Sequence, residues 1–395
     1  MQSVCPDVES STFRHLFVGS FSFTDTNFGG IGYYRYRETG GELTYLTTFR
    51  EDIKAGVLCV DRSGRRLYAV DERKDNPDHG GKGGGRVYAF SVDEESGTIT
   101  EINHRDSLGS MPCFLTLDGT GRYLLVSHFS DTTCISRVLR EPSGKLRMEL
   151  QYSDSVITLF PLDENGAIGE PCDALLFPPE DGVPACLHSV VRAPTGNLFA
   201  VCSRNHSQVH MVKLDYDRSR LSLTDTLSYP KSTAPRSGYS PRYCVFHPHL
   251  PILYVNNEFL PHLLVLRYTE EGRLESVWDQ DATPQLDKVE GQAISMSDLC
   301  IDPTGNTLYA LYRQINAVCI FRLDPLSGKP SMLQSLKLEG KGPRGVTVSP
   351  DGRFLVIANQ ASEDLEVRMI GKEGTAEQVG RKIIGQKYPA DPVFL

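Results

Sequence analysis

Arginine, histidine and acidic residues recur in this chain at two fixed distances from a set of tight turns. Pro-Arg stands six residues ahead of a turn proline twice, in YSPRYCVFHP (239–248) and in KGPRGVTVSP (341–350). Six residues before the six related turns stand Gly56, Cys113, His188, Arg242, Ser297 and Arg344. Ten residues after them stand Glu72, Phe129, Arg204, Glu258, Arg313 and Gln360. Guanidinium groups bind anions, and histidine or glutamate can move a proton, so the set could hold a ligand and act on it.

Each of these residues also has an ordinary structural explanation. A single arginine at a strand end is most often a solvated group or half of a surface salt bridge. His188 could be a structural histidine, and Asp298, one residue past Ser297, could bond only to backbone. The set as a whole favours a site, because several charges around one narrow mouth would repel one another unless they were paired or held a ligand.

An internal repeat indicates which elements position these residues. The segment VSPDGRFLVIA, at 348–358, has five degraded relatives. They are VDRSGRRLYAV, LDGTGRYLLVS, RAPTGNLFAVC, FHPHLPILYVN and IDPTGNTLYAL, starting at residues 60, 117, 192, 246 and 301. Each predicts strand, tight turn and strand, and a second hairpin with alternating apolar residues follows each copy.

The two ends of the chain supply a seventh unit. RHLFVGS and GIGYYRYRETGGELTYL lack a first strand, and the chain ends in the strand-like ADPVFL. We therefore predict an all-β fold: a seven-bladed β-propeller of four-stranded antiparallel blades, with the N- and C-terminal strands sharing one blade. We expect residues 1–13 to form an extension and 14–395 a single domain, with insertions near 71–86 and 128–153 that form surface loops. Two separate β-sandwich domains would not explain the repeat.

The expected blade geometry brings both sets of residues together. The first strand of a blade lines the channel and the second returns antiparallel, so the start of the first strand and the end of the second share one face. Both Pro-Arg arginines are then rim residues of one funnel. They face His188, Glu258, Arg313 and Asp298.

Composition excludes several other classes of function. The net charge of −9 and the pI near 5.6 argue against a nucleic-acid or anionic membrane surface. No apolar stretch is long enough to span a bilayer, and the start of the chain lacks the layout of a secretory signal, so we expect a cytoplasmic protein. The ten cysteines form no CxxC pair, which favours reduced thiols over disulfides or zinc. We predict no metal and no cofactor.

Several of these motifs resemble one known family, the seven-bladed propeller lactonases, which include 6-phosphogluconolactonase and carboxy-cis,cis-muconate cyclase. The resemblance covers nearly the whole chain. It is carried by CLHSVVRAPTGN, SPRYCVFHP with YVNNEF, SDLCIDPTGNTLYALYR, GPRGVTVSPDGRFLVIANQ and the terminal DPVFL. It implies an active site on one propeller face, with His188, Arg242, Arg313 and Glu258 as the catalytic and binding groups. This chain departs from the family pattern at Tyr243 and Cys300, where the family often has histidine.

The chemistry expected of this site is hydrolysis of a sugar lactone, most favourably 6-phosphogluconolactone. Either Glu258 or His188 could activate water, and Arg242 and Arg313 could stabilise the oxyanion. The predicted substrate contacts are Arg344, Asp298, Arg204, Asn257, Gln360 and Glu72. Arg344 and Arg204 are the candidates for a phosphate or carboxylate. Cycloisomerisation of an unsaturated dicarboxylate, or a platform that only binds a partner, remain the alternatives. The predicted partner is a small lactone or carboxylate, bound by a monomer or a homodimer.

Overall fold

Alternating apolar residues in short segments produce a fold built from β-strands and turns. The computed structural model describes residues 13–24, 28–61, 63–74, 84–131, 134–194, 196–232, 234, 236–286 and 294–395, with 378–381 described for the backbone only. These residues form 30 strands and include no helix. Residues 1–12 of the predicted extension and 75–83 of the first predicted insertion lie outside the described residues. No helix found in the described part is long and apolar enough to cross a membrane.

The strands of the first three blades follow in chain order after the N-terminal segment. Blade 1 contains β4 (Leu58–Val60), β5 (Arg66–Asp71), β6 (Arg86–Val92) and β7 (Ile99–Asp106). Blade 2 contains β8 (Pro112–Leu117), β9 (Tyr123–His128), β12 (Ser155–Pro161) and β13 (Asp173–Phe177). Blade 3 contains β14 (Leu187–Arg192), β15 (Leu198–Ser203), β16 (Gln208–Asp215) and β17 (Arg220–Ser228).

The next three blades repeat the same order. Blade 4 contains β18 (Pro241–Phe246), β19 (Ile252–Asn257), β20 (His262–Tyr268) and β21 (Leu274–Asp281). Blade 5 contains β22 (Met296–Ile301), β23 (Thr307–Tyr312), β24 (Ala317–Leu323) and β25 (Pro330–Lys337). Blade 6 contains β26 (Pro343–Val348), β27 (Phe354–Asn359), β28 (Asp364–Ile370) and β29 (Ala376–Ile384).

Blade 7 joins the two ends of the chain. It contains β1 (Phe13–Ser20), β2 (Ile31–Arg37), β3 (Glu42–Phe49) and β30 (Pro389–Phe394). In this blade β1 pairs antiparallel with β30, so that Leu16 faces Phe394 and Phe17 faces Val393. The predicted seven-bladed propeller, closed by the terminal strands, is confirmed.

The core is divided among the seven contacts between neighbouring blades. In β1, Leu16 and Val18 belong to the cluster shared with blade 6, whereas Phe17 belongs to the cluster shared with blade 1. Successive side chains of a strand point to opposite faces of its blade. Because a neighbouring blade covers each face, the strand must be apolar at nearly every position. This explains continuous apolar runs such as YLLVS and FLVIA.

An aspartate holds three of the repeated turns between the first and second strands, those of blades 1, 2 and 5. In blade 5, Oδ1 of Asp302 accepts hydrogen bonds from the backbone N–H groups of Asn306 and Thr307, both at 2.8 Å. Gly305 has φ +77°, a conformation that favours glycine. The Asp-x-x-Gly spacing of this copy, DPTG, therefore suits the turn.

The second predicted insertion contains a regular hairpin where we expected a surface loop. β10 (Ile135–Arg140) and β11 (Leu146–Gln151) pair with each other as a separate two-stranded sheet, with Val138 opposite Met148. Both side chains are exposed. The hairpin stands outside blade 2 because β12 pairs directly with β9. The alternation in LRMELQ is the sequence signal for this strand.

Candidate active site

Five of the six residues counted six positions before a turn lie where the innermost strand of the blade carries one residue more than its partner. In blade 3, Leu187 pairs with Ser203 and Ser189 with Cys202, which leaves His188 without a partner across the ladder. Arg344 is the additional residue of β26, and Cys113 that of β8. A β-bulge of this kind re-aims a side chain. Six innermost strands carry such an irregularity at this level: β8, β14, β18, β22, β26 and β30.

The prolines of the two Pro-Arg pairs begin these strands. Pro241 pairs with Asn257 and Pro343 with Asn359 at the first position of β18 and β26. Proline has no N–H for a ladder, so it is tolerated at the start of a strand or at a bulge. In both strands, therefore, the proline is the first paired residue and the arginine is the first residue of the bulge.

The side chains of Arg242, Tyr243 and His188 pack together. Arg242 is 1% exposed, and its guanidinium carbon lies 4.3 Å from the centre of the Tyr243 ring. One Nη of Arg242 donates a hydrogen bond to the carbonyl of Ser297 in the next blade. The His188 ring meets the rings of Tyr243 and Phe129 edge to face, with centroids 5.2 and 5.5 Å away. The histidine is thus fixed between two aromatic rings beside an arginine.

Glu258 is held by two arginines from the neighbouring blades. Its carboxylate accepts a hydrogen bond from Arg204 at 2.9 Å on one oxygen and one from Arg313 at 2.5 Å on the other. The glutamate is 6% exposed. Burial raises the pKa of Glu258, but Arg204, Arg242 and Arg313 outweigh that effect and hold the pKa well below its ordinary value. Glu258 is therefore ionised and paired, and is a poor proton acceptor.

His188 has the opposite character. Burial lowers the pKa of His188 well below its ordinary value, and Arg242 lowers it further, against an opposing effect of Glu258. The ring is therefore neutral at neutral pH. Its Nδ1 is buried and has no hydrogen-bond partner among the described residues. A neutral imidazole with an unused nitrogen can accept a proton.

Two arginines of the site carry buried N–H groups that bond to nothing in the described part of the chain. These are the Nε groups of Arg242 and Arg313. Burial, together with the nearby charge of Arg242, lowers the pKa of Arg313 to about 10, which still leaves it charged at neutral pH. Buried donors of this kind are rare in native proteins, and a bound ligand is one way to satisfy them. An oxygen-rich anionic ligand fits them.

Arg344 stands on the other side of the rim. Its guanidinium carbon lies 3.9 Å from the centre of the Phe21 ring, contributed by the N-terminal segment. Burial lowers the pKa of Arg344, and the nearby Arg242 lowers it further. The Gln360 side chain donates a hydrogen bond to the Phe21 carbonyl at 2.5 Å. Gln360 therefore positions the aromatic ring on which Arg344 stacks.

Asn257 and Asp298, both predicted substrate contacts, are bonded to backbone. The Asn257 amide donates to the carbonyl of His262 and accepts from the N–H of Ser240, each at 3.0 Å. Asp298 accepts from Leu299 at 2.8 Å and, across to blade 6, from Val346 at 2.9 Å. Burial raises the pKa of Asp298 to about 6. Each carboxylate oxygen of Asp298 therefore accepts one hydrogen bond from a backbone N–H group, which is the structural role considered for this residue.

The bonds of Asn257 predict what its removal does. We expect Asn257→Ala to lower the free energy of unfolding by about 1–3 kcal/mol, because it leaves two backbone groups without their hydrogen-bond partner. Chemical denaturation measures this loss. Ser331→Ala, which removes an exposed bond to the Arg322 carbonyl, should change stability by less than about 0.5 kcal/mol. Lost lactone turnover at unchanged stability would instead assign Asn257 to the substrate.

Several residues of this region were missed by the sequence reasoning. Tyr243 and Phe129 enclose His188, Phe21 supports Arg344, and Ser295 accepts a hydrogen bond from Arg313 at 2.8 Å. Asp391 accepts from the N–H of Leu58 at 2.7 Å, and burial raises its pKa to about 7. Its position in ADPVFL, equivalent to Asp298 in MSDLCI, is the signal that could have identified it.

Within the described residues, no group of three or more histidine, cysteine, aspartate or glutamate side chains could hold a metal ion. The polar groups described on this rim are guanidinium, imidazole, carboxyl and amide groups.

Comparison with known proteins identifies the family. The 6-phosphogluconolactonase of Formosa agariphila is 25% identical over 362 residues, covering 89% of this chain and 91% of that protein. That of Bacillus subtilis is 24% identical, covering 86% of each. The solved structure of a periplasmic gluconolactonase from Pseudomonas aeruginosa matches with a TM-score of 0.76 at 22% identity, over 97% of this chain and 99% of that one. The family model described as "Lactonase, 7-bladed beta-propeller" matches residues 15–388, so this chain belongs to the seven-bladed β-propeller lactonase family.

Proposed function

We propose that this protein hydrolyses a sugar lactone, and that 6-phosphogluconolactone is its substrate. The observation that carries the proposal is a neutral, buried His188 beside arginines whose Nε groups have no partner in the described chain. Relatives named 6-phosphogluconolactonase, aligned over most of both chains, support the choice of substrate.

His188 is the general base in this proposal. The attacking water needs an unprotonated base, and His188 is unprotonated at neutral pH. Its lowered pKa makes it a weaker base than free imidazole, which its fixed position beside the substrate has to offset. Glu258, the other candidate, would have to leave two arginines before it could act. Its role is to hold Arg204 and Arg313 in place and to stabilise the imidazolium that forms when His188 takes the proton.

Arg242 and Arg313 stabilise the oxyanion. Attack on the carbonyl carbon moves negative charge onto the carbonyl oxygen, and charged donors already fixed in a buried site lower the energy of that state. Contact with Ser297 and Tyr243 fixes Arg242, and contact with Glu258 and Ser295 fixes Arg313. Neither side chain has to reorganise as charge develops.

Arg344 is the better candidate for the phosphate. Arg204 already bonds to Glu258 and to the side chain of Asn205, whereas the contact described for Arg344 is the stack on Phe21. Stacking leaves the edge of a guanidinium free to bind two phosphate oxygens. We also propose the cytoplasm as the compartment, supported by nine described cysteines that are all free thiols.

An assay of two lactones tests the proposal. The purified protein is given 6-phosphoglucono-δ-lactone and, in parallel, glucono-δ-lactone, with Arg344→Ala as the matched variant. We expect turnover well above spontaneous opening for the phosphorylated lactone, and a loss in Arg344→Ala that is larger for that substrate than for the other. Equal losses for both lactones would remove Arg344 from the phosphate site. No turnover of either would overturn the proposal and direct the assay to carboxymuconates.

A further inference from the structure

Glu72 is a buried carboxyl group that the mechanism above leaves without a role. It follows β5 at the channel end of blade 1 and is 5% exposed. Its backbone N–H donates to the Lys54 carbonyl at 2.9 Å, which fixes the main chain. Within the described ranges its carboxylate takes part in no ion pair. A buried carboxyl without a paired charge is costly, and such groups concentrate at functional sites.

Gly56 makes the space that this carboxyl fills. A Cβ atom at position 56 would lie 2.3 Å from one carboxylate oxygen of Glu72, closer than any real contact. Position 56 is the blade 1 equivalent of His188, Arg242 and Arg344. Blade 1 therefore contributes no side chain from its first strand to the rim, and the Glu72 carboxyl occupies that place.

The surroundings of Glu72 make its carboxyl a proton donor at neutral pH. Burial raises the pKa of Glu72 to about 7, although Arg344, Lys54 and Arg242 act to lower it. The remaining titratable neighbour is Cys113, whose thiol pKa is held well above its ordinary value, first by burial and then by Glu72. The carboxyl therefore titrates near neutral pH, where its protonated form is populated.

We propose that Glu72 is a second catalytic residue, which donates a proton to the ring oxygen of the lactone as the ester bond breaks. This inference rests on the proposed function. Arg242 and Arg344 act electrostatically on both Glu72 and His188. The thiol of Cys113, a neighbour of Glu72, also donates to the His188 carbonyl at 3.6 Å. We therefore place the acid and the base on one rim, on either side of a lactone held by these guanidinium groups.

The two groups together balance the reaction. Water adds its oxygen to the carbonyl carbon, and its proton passes to His188. When the intermediate collapses, the bond from that carbon to the ring oxygen breaks, and the oxygen leaves with the proton of Glu72 as a hydroxyl group. The new carboxylic acid ionises and returns a proton to Glu72, and His188 releases its proton to solvent.

The pH profile of Glu72→Gln tests the inference. A general acid must be protonated, so kcat/KM of the wild type should fall as pH rises above about 7, after correction for spontaneous opening. We expect Glu72→Gln to lower kcat about 10²-fold at pH 6.5 and to remove that alkaline limb. Glu94→Gln, a change in an exposed ion pair with Arg65, should leave rate and profile unchanged. An alkaline limb that survives in Glu72→Gln would belong to another group, such as Asp391, and would overturn the inference.

Gly56→Ala provides a second test that keeps the glutamate. The added methyl group displaces the carboxyl, so we expect kcat to fall at least 10-fold in Gly56→Ala. In the Glu72→Gln background the same change should have a much smaller effect, because the two residues act as one unit. Additive losses would contradict the inference. An inactive wild type would instead overturn the proposed function itself, and this inference with it.

Discussion

His188→Ala should lower kcat for lactone hydrolysis about 10³-fold and leave the propeller folded. The expected size follows from the usual contribution of a positioned general base. His188 lies at a bulge, outside the ladder between β14 and β15, so its removal breaks no strand pairing. KM should change little, because the arginines that hold the substrate remain. Steady-state kinetics, with circular dichroism to verify folding, measure both effects.

A second histidine provides the matched control. His210 is also buried, its pKa is lowered to about 4 by burial, and it bonds to Thr226 and packs on Phe177 outside the channel. His210→Ala should lower stability and leave kcat unchanged. Free imidazole should partly restore activity to His188→Ala, because the vacated space opens onto the rim. A His188→Ala enzyme with more than a tenth of the original kcat would show that another group is the base.

Glu258→Ala should lower the free energy of unfolding by about 3–5 kcal/mol, the usual cost of removing one member of a buried ion pair. Without the carboxylate, the mostly buried side chains of Arg204 and Arg313 lie near Arg242 and lose the negative charge that pairs with them. Denaturant titration measures the loss. Glu275→Ala breaks a pair with Arg267 in which both side chains are at least half exposed, and it should cost at most about 1 kcal/mol.

The same variant carries a pH signature. The pKa of Glu258 is lower in the folded protein than in the unfolded chain, so its ionisation stabilises the fold above the ordinary glutamate pKa. That contribution is lost as pH falls toward the depressed folded value. Wild-type stability should therefore decrease below about pH 4 more steeply than that of Glu258→Ala. Parallel curves would mean that the carboxylate contributes no net stability.

Sequence periodicity predicted the blades because each repeat carries its own turn and its own apolar strands. Counting from those turns also brought His188, Arg242, Glu258 and Arg313 to one rim, because antiparallel pairing fixes which strand ends share a face. The lactonase resemblance is confirmed at the level of the family. The roles of the individual site residues remain predictions.

Counting could not reveal what each polar side chain bonds to. Asn257 and Glu258 are neighbours at the end of one strand, yet the first bridges backbone groups and the second pairs with arginines of two other blades. That difference depends on bulges and on neighbouring blades, which leave no trace in the spacing. Phe21 and Asp391 were missed because the closing blade lacks the complete repeat from which the distances were counted.

The bulges at the channel mouth place several side chains of the site at positions that do not contribute to strand pairing. A residue at such a bulge can be exchanged without breaking a backbone hydrogen bond of its own blade's ladder, and the bulges of neighbouring blades already carry cysteine, serine, histidine or arginine. Related chains can therefore acquire new specificities by substitution at these few positions, while the stability of the ring is maintained elsewhere. Cys113 and Ser297 are the positions at which a designer would begin.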